Sequence, residues 1–482
     1  MRQHFVNDDE PQDEHLGSLV RGTTFPGCMK APLPSVKPQA GKLGPRRDGA
    51  FRSSILCQVR PGRFILMLTA TLEQIQTSPR KRTIYVCVIL TLLVAMLVFK
   101  AFRFFEGGLW YGSQTADFAA FHIVAQRIWL GDLDLTYQFS LFLKMQIAAA
   151  GGPTGVMPWT YPPQFGLLLA PFAFLPGWAA YFLFTTVTLA AYLATLRTIA
   201  GNNFAQVLVV FFPAIAITIA GGQNGLLTGA LIGLVCINAE RRPALAGIAL
   251  GMMVIKPHLA IAAGIYMLLM RRWPAVLTAA AVVVGSSLVC TLVFGPEIWI
   301  AWLGSIREAA GYLEEGRYQL FRMISAYAAL YNAGVPAAGA FWGQMAMAGL
   351  ALVAVALAVA RGPSPRFALG VVAVASVMIS PYAYDYDLPI VGIGLALLLP
   401  DLATLASPRE RGAIYGLILL ANAYGLLQSA RLAAENADAS GLERYAMPAV
   451  GGFALMAVLA MLLWLLLRDA KPAAVRLHGE PA

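Results

Sequence analysis

Asp117 is the side chain in this sequence with the clearest opportunity for chemistry. It precedes an amphipathic run over residues 118–129, within a polar and aromatic island (residues 106–163) flanked by apolar sequence. A chain that only had to fill a bilayer would not need such a segment. A carboxylate there could act as a general base; equally, an Asp just ahead of a helix commonly caps its orphan N–H groups. The island also holds Arg127, Gly131-Asp132-Leu133-Asp134 and Trp159-Thr160-Tyr161-Pro162-Pro163. Asp132 and Asp134 read as turn residues, and His122 as structural.

Three further polar groups interrupt apolar sequence: Lys256 in Ile255-Lys256-Pro257, the turn Gly221-Gly222-Gln223-Asn224, and Ser380-Pro381-Tyr382-Ala383-Tyr384-Asp385-Tyr386-Asp387. An ionisable residue at membrane depth points to a phosphate or carboxylate partner, although a Lys near an interface can also simply snorkel. Asp385 and Asp387 either cap the following span or bind an acceptor or a metal. A polar loop over residues 295–336 adds Arg307, Glu308, Glu314, Glu315, Arg317 and Arg322. Together these side chains suit sugar transfer from a lipid phosphate. A sugar hydroxyl is a weak nucleophile and needs a carboxylate to accept its proton. The departing phosphate needs cations or N–H groups, and flat aromatic faces pack against sugar rings.

The elements that position these residues must be membrane helices. Of 482 residues, 58% are hydrophobic and 12% charged, with a mean hydropathy of +0.66, which excludes an ordinary soluble globule. The expected fold is all-α and polytopic. Basic clusters at Arg80-Lys81-Arg82, Glu240-Arg241-Arg242, Arg271-Arg272, residues 361–366 and Arg409-Glu410-Arg411 belong on the cytoplasmic side. Threading spans between them gives about twelve, near 83–104, 178–197, 203–221, 224–239, 243–256, 257–270, 274–294, 337–360, 366–380, 387–405, 412–430 and 446–468. Both termini are then cytoplasmic, and the polar groups converge on the outer face of a bacterial inner membrane. Residues 164–175, too short to cross, read as a re-entrant or interfacial segment.

Residues 1–80 are rich in Pro, Gly and charge and are expected to be a disordered basic extension. A transmembrane domain over 81–470 follows, with 104–163 as a helical first outer loop and 471–482 as a cytoplasmic tail. The basic residues are scattered, so nucleic acid is not an expected partner. Cys28, Cys57, Cys87, Cys236 and Cys290 lack metal or disulfide spacing and read as small core residues.

In order and spacing, these motifs resemble glycosyltransferase family 87, whose members are GT-C type membrane enzymes. The resemblance rests on Asp117-Phe118, Gly131, Tyr137, Tyr161-Pro162-Pro163, Pro171-Phe172, Leu175-Pro176, Gly222-Gln223-Asn224, Gly247, Gly251, Ile255-Lys256-Pro257, Ser380-Pro381-Tyr382 and Tyr384-Asp385-Tyr386. It spans roughly residues 83–470. It implies an inverting transfer of a hexose, mannose in the family's characterised direction, from a polyprenyl-phosphate donor to a lipid or glycan acceptor. Asp117 would be the general base, with no metal or other cofactor. Donor-phosphate contacts are expected from Lys256, Gln223, Asn224 and Arg127. Substrate contacts are expected from Trp159, Tyr161, Arg322, Tyr384, Asp385 and Asp387. Two other readings remain. A transporter or flippase of lipid-linked sugars would also want a polar cavity, but no repeat relates the two halves. A polysaccharide polymerase or ligase would use Arg307, Arg317 and Arg322.

Overall fold

Every long apolar run forms a helix, and most helices start where proline or serine opens them. The computed structural model describes residues 61–108, 117–151, 157–434 and 447–468. The first part comprises α1 (Pro61–Thr77), α2 (Pro79–Gly107), α3 (Asp117–Leu130), α4 (Phe139–Ala150), α5 (Pro163–Leu169), α6 (Gly177–Ala200), α7 (Phe204–Gly221), α8 (Gly225–Asn238), α9 (Pro243–Met252) and α10 (Pro257–Leu269). The second comprises α11 (Trp273–Phe294), α12 (Glu297–Glu314), α13 (Ala326–Asn332), α14 (Ala337–Arg361), α15 (Pro365–Met378), α16 (Pro389–Leu405), α17 (Pro408–Ala434) and α18 (Val450–Arg468). Among the described residues there is no strand, only an isolated β-bridge between Met323 and Tyr384.

Among the described residues, six helical stretches are long and apolar enough to cross a membrane: Pro79–Gly107, Gly177–Gly221, Trp273–Phe294, Ala337–Arg361, Pro408–Leu432 and Val450–Arg468. The second is divided at Gly201–Asn203 into α6 and α7. Shorter apolar helices α8, α9, α10, α15 and α16 lie between them, so each of the twelve expected segments falls on a helix. α2 illustrates the division of faces. Ile89, Leu93, Leu97, Ala101 and Phe104 recur every three or four residues and are buried. Val88, Leu92 and Phe99 on the other side are exposed, as expected of a helix whose outer face meets lipid.

The extension expected to be disordered to residue 80 already contains α1. Leu68, Thr69, Leu72 and Ile75 share one helical face, and Thr69, Leu72 and Ile75 are buried. The Thr69 hydroxyl donates to the Pro408 carbonyl at 2.9 Å, and Glu73 pairs with Arg411 at 2.7 Å. Composition over the whole extension masked this local period. The remainder of that extension, residues 1–60, and the tail at 471–482 lie outside the described residues.

The basic clusters gather at the end of the bundle where α1 docks. Arg82 donates to Asn202 at 2.7 Å, Arg468 pairs with Glu410 at 2.8 Å, and Arg272 pairs with Glu240. At the core, α8 carries Gly225, Gly229 and Gly233 at four-residue spacing, the small-residue stripe that lets membrane helices approach closely. Added Cβ atoms at Gly229 and Gly233 would press on Tyr192 and Thr195 of α6 and on Pro389 and Ile393 of α16. One at Gly225 would stand 1.6 Å from the Tyr386 carbonyl oxygen, an overlap that only backbone movement relieves. Gly225→Ala should therefore lower the thermal midpoint in detergent more than Gly229→Ala, at a cost of about 1–3 kcal/mol. Equal midpoints for the two variants would contradict this packing.

Candidate active site

The Tyr-Asp motif forms the floor of the site, at the end of the bundle away from the basic clusters. After α15 the chain makes a short 3₁₀ turn at Asp385–Asp387 before α16. The Ile324 N–H donates to the Ala383 carbonyl at 2.9 Å, joining this segment to the one that follows α12. Asp385 and Asp387 are both 1% exposed, and each has its own cation. Arg322 reaches Asp385 through two bonds of 2.9 and 3.1 Å; Lys256 meets Asp387 at 2.7 Å. The other Asp387 oxygen accepts the Tyr384 N–H at 3.2 Å. The rings of Tyr384 and Tyr386 stack 5.2 Å apart, and the Lys256 ammonium lies 4.8 Å from the Tyr386 ring centre.

Two helix termini deliver this cation and the carboxylate opposite. α9 and α10 are short, and the chain reverses between them through a 3₁₀ turn that leaves Lys256 at the head of α10. α3 starts at Asp117 and anchors itself through buried Phe118, Phe121 and Val124. Phe118 and Phe121 pack against Phe184, and Phe121 also against Tyr161 and Phe165. α7 ends at Gly222, whose φ of 65° is left-handed and whose missing Cβ makes room for Phe118. That close approach sets Gln223 beside Asp117. The Gln223 Nε2 donates to Asp117 Oδ2 at 2.8 Å, and the Tyr161 hydroxyl donates to Gln223 Oε1 at 3.2 Å.

Asp117 is half-buried, and its bond to Gln223 crosses between elements instead of capping α3. Burial raises its pKa above the ordinary carboxylate range, against the opposing pull of Arg322, the Gln223 bond and Lys256. Burial disfavours the Arg322 charge as well, but Asp385 overcomes this and holds the guanidinium protonated. Burial, with Asp387 and Asp117 nearby, pushes the Tyr161 hydroxyl well up, keeping it a donor.

The structure thus brings Asp117, Tyr161, Gln223, Asn224, Lys256, Arg322, Tyr384, Asp385 and Asp387 to one place. Asn224 is fully buried, beside the Tyr161 hydroxyl. Arg127 is not part of this group. It lies ten residues along α3, about 15 Å at 1.5 Å per residue, and pairs with Asp132 at 3.0 Å. Trp159 stands behind the site, stacked on Phe165 at 5.9 Å and 2% exposed. Asp132 likewise spends its charge on Arg127, and His122 bonds the Leu175 carbonyl at 3.0 Å. Tyr386, absent from the expected set, supplies the ring beside Lys256; its alternation with Asp385 and Asp387 was the available signal.

Residues 159–381 match the family model of glycosyltransferase family 87. The protein is a glycosyltransferase. The matched segment contains Tyr161, Gln223, Asn224, Lys256 and Arg322, and stops short of Tyr384, Asp385 and Asp387; Asp117 precedes it. No curated protein and no solved structure gave a significant match to the chain. The match over residues 159–381 favours an enzyme over the transporter reading.

The buried pairs make a direct stability test. Lys256→Met should destabilise the glycosyltransferase by about 3–5 kcal/mol, because Asp387 is left as an uncompensated buried charge. Lys256→Met with Asp387→Asn should recover part of that loss, since the amide oxygen can still accept the Tyr384 N–H. Thermal unfolding in detergent checks both; a double variant no more stable than the single one would contradict the pairing.

Proposed function

We propose that the protein transfers a hexose, with mannose the first to be tested, from a polyprenyl-phosphate-linked donor to a hydroxyl of a lipid or glycan acceptor. The observation that carries this reading is the asymmetry of charge at the site. Four of its five charged side chains form two ion pairs, Lys256 with Asp387 and Arg322 with Asp385. The fifth, Asp117, has no salt bridge among the described residues and is only half-buried, so it can meet a substrate.

Asp117 removes the acceptor's hydroxyl proton as that oxygen attacks the anomeric carbon. The carbon–phosphate oxygen bond breaks on the opposite face, which inverts the anomeric centre. The lipid phosphate leaves with the bonding electron pair and gains one negative charge. At the same moment Asp117 becomes neutral, so the charge at the site is conserved while the phosphate departs. Lys256 and Arg322 are the cations near enough to Asp117 to act on its charge, and they can stabilise the growing phosphate charge without leaving their carboxylates. This route calls on no metal or other cofactor.

The proposed setting is a GT-C type fold with twelve spans in a bacterial inner membrane, the site outside and both termini cytoplasmic. The supporting observation is the separation of the basic clusters at one end from the site at the other. The domain scheme keeps 81–470 as the catalytic membrane domain, now extended by α1. A polymerase or ligase would need Arg322 free in an outer loop, whereas its guanidinium is turned onto Asp385.

Asp117→Asn should lower transfer from a polyprenyl-phosphate sugar on the order of 100-fold or more. The wild-type rate should rise with pH as Asp117 ionises. Because burial raises its pKa, that rise should lie above the range of an exposed carboxylate. A folded Asp117→Asn enzyme with the wild-type rate would refute the assignment.

A further inference from the structure

Gln223 was expected at the donor phosphate, yet its amide is turned to Asp117, Tyr161 and Met157. A primary amide carries two N–H donors and one acceptor oxygen. Here the oxygen accepts from the Tyr161 hydroxyl, one N–H reaches Asp117 Oδ2, and Nε2 also lies 3.8 Å from the Met157 sulfur. The side chain is 3% exposed. A flipped amide would set its oxygen against the carboxylate, two acceptors facing each other, so Asp117 and Tyr161 together dictate the orientation.

We propose that Gln223 is a positioning residue for Asp117, holding the carboxylate through Oδ2 so that Oδ1 is the oxygen presented to the acceptor's hydroxyl. This inference rests on the reading of Asp117 as the base. The constraint is continuous from the island to the α7–α8 turn. Tyr161 is fixed in the aromatic packing with Phe165 and Phe121; its hydroxyl fixes the amide, and the amide fixes the carboxylate. Gly221 leaves the space this needs, since a Cβ there would meet Asp117 Oδ2 at 3.3 Å. A general base must sit within hydrogen-bond reach of its proton, and small misplacement is costly: a shift of about 1 Å can reduce rate by ~100-fold.

The Gln223 bond also favours the ionised form of Asp117, as do Arg322 and Lys256. The other ionisable groups facing Asp117 are the hydroxyls of Tyr161, Tyr384 and Tyr386, all pushed upward by burial. Asp385 and Asp387 stand behind, held by their own cations. Removing the amide should therefore move the acidic limb of the rate profile to higher pH, a signature that a merely structural role would not produce.

The test uses the full-length enzyme in detergent, a short-chain polyprenyl-phosphate mannose as donor, and membrane lipids from a strain lacking the enzyme as acceptor. Gln223→Leu and the isosteric Gln223→Glu are each expected to transfer roughly 10-fold or more slowly at neutral pH. The deficit should shrink as pH rises, and the acidic limb should shift upward, further for Glu because it adds a second carboxyl group. Tyr161→Phe should shift it in the same direction by less. Binding of polyprenyl phosphate, followed by thermal shift, should stay within about twofold for Gln223→Leu, because the buried amide is turned to Asp117 and Tyr161. A uniform rate loss at every pH, or phosphate binding weakened with an unchanged profile, would overturn the proposal. The companion Asp117→Asn variant separates the two levels. If it keeps the wild-type rate, the base reading itself fails; if it is inactive while the Gln223 profiles do not move, only the positioning role fails.

Discussion

Two carboxylates two residues apart, Asp385 and Asp387, are buried at the heart of the site, and the surrounding structure depends on neutralising both. Moving a charge out of water costs several kcal/mol even after relaxation. The pairing with Arg322 and Lys256 offsets that cost, and it draws together segments far apart in sequence. Lys256 reaches Asp387 from the head of α10, where the short helices α9 and α10 meet through a 3₁₀ turn. Arg322 can reach Asp385 only because the segment after α12 folds back onto Ala383. The two ion pairs therefore hold the α9–α10 reversal and the residue 320–324 segment against the same short turn.

The turn can sit that deep because α8 is nearly featureless where it passes. Gly225 leaves room for the Tyr386 carbonyl, and Gly229 and Gly233 let α6 and α16 close in above it. Close helix packing and buried charge thus support each other: the small residues admit the backbone, and the backbone carries the aspartates. On the opposite wall Gly222 performs a related service, turning the chain in a left-handed conformation and admitting Phe118. That approach places an unpaired carboxylate facing two paired ones, and the resulting imbalance gives the site its chemical direction.

Much of this was legible in the chain. Apolar runs with basic punctuation marked twelve segments, and each is helical. Asp117, Lys256, Gln223 and the Tyr-Asp motif stood out because polar groups are expensive in apolar surroundings and are kept for a reason. α1 was missed because its period of buried residues is short and lies within a basic, Pro-rich and Gly-rich stretch. Arg127 was misplaced because ten residues of helix carry a side chain far from the helix start, and a nearby Asp132 offered it a partner.

Composition, hydropathy and motif order by themselves determined that this is a helical membrane protein resembling a known family of glycosyltransferases, and which few polar residues mattered. They did so because burial in an apolar medium leaves a strong one-dimensional record. Partnership was decided only by the tertiary structure. Lys256 and Asp387 are 131 residues apart, and Gln223 and Asp117 are 106 apart; no local spacing encodes such contacts. Which carboxylate is spent in an ion pair and which is left to react depends on how helix ends meet, and that is set by packing among small residues and rings across the whole bundle.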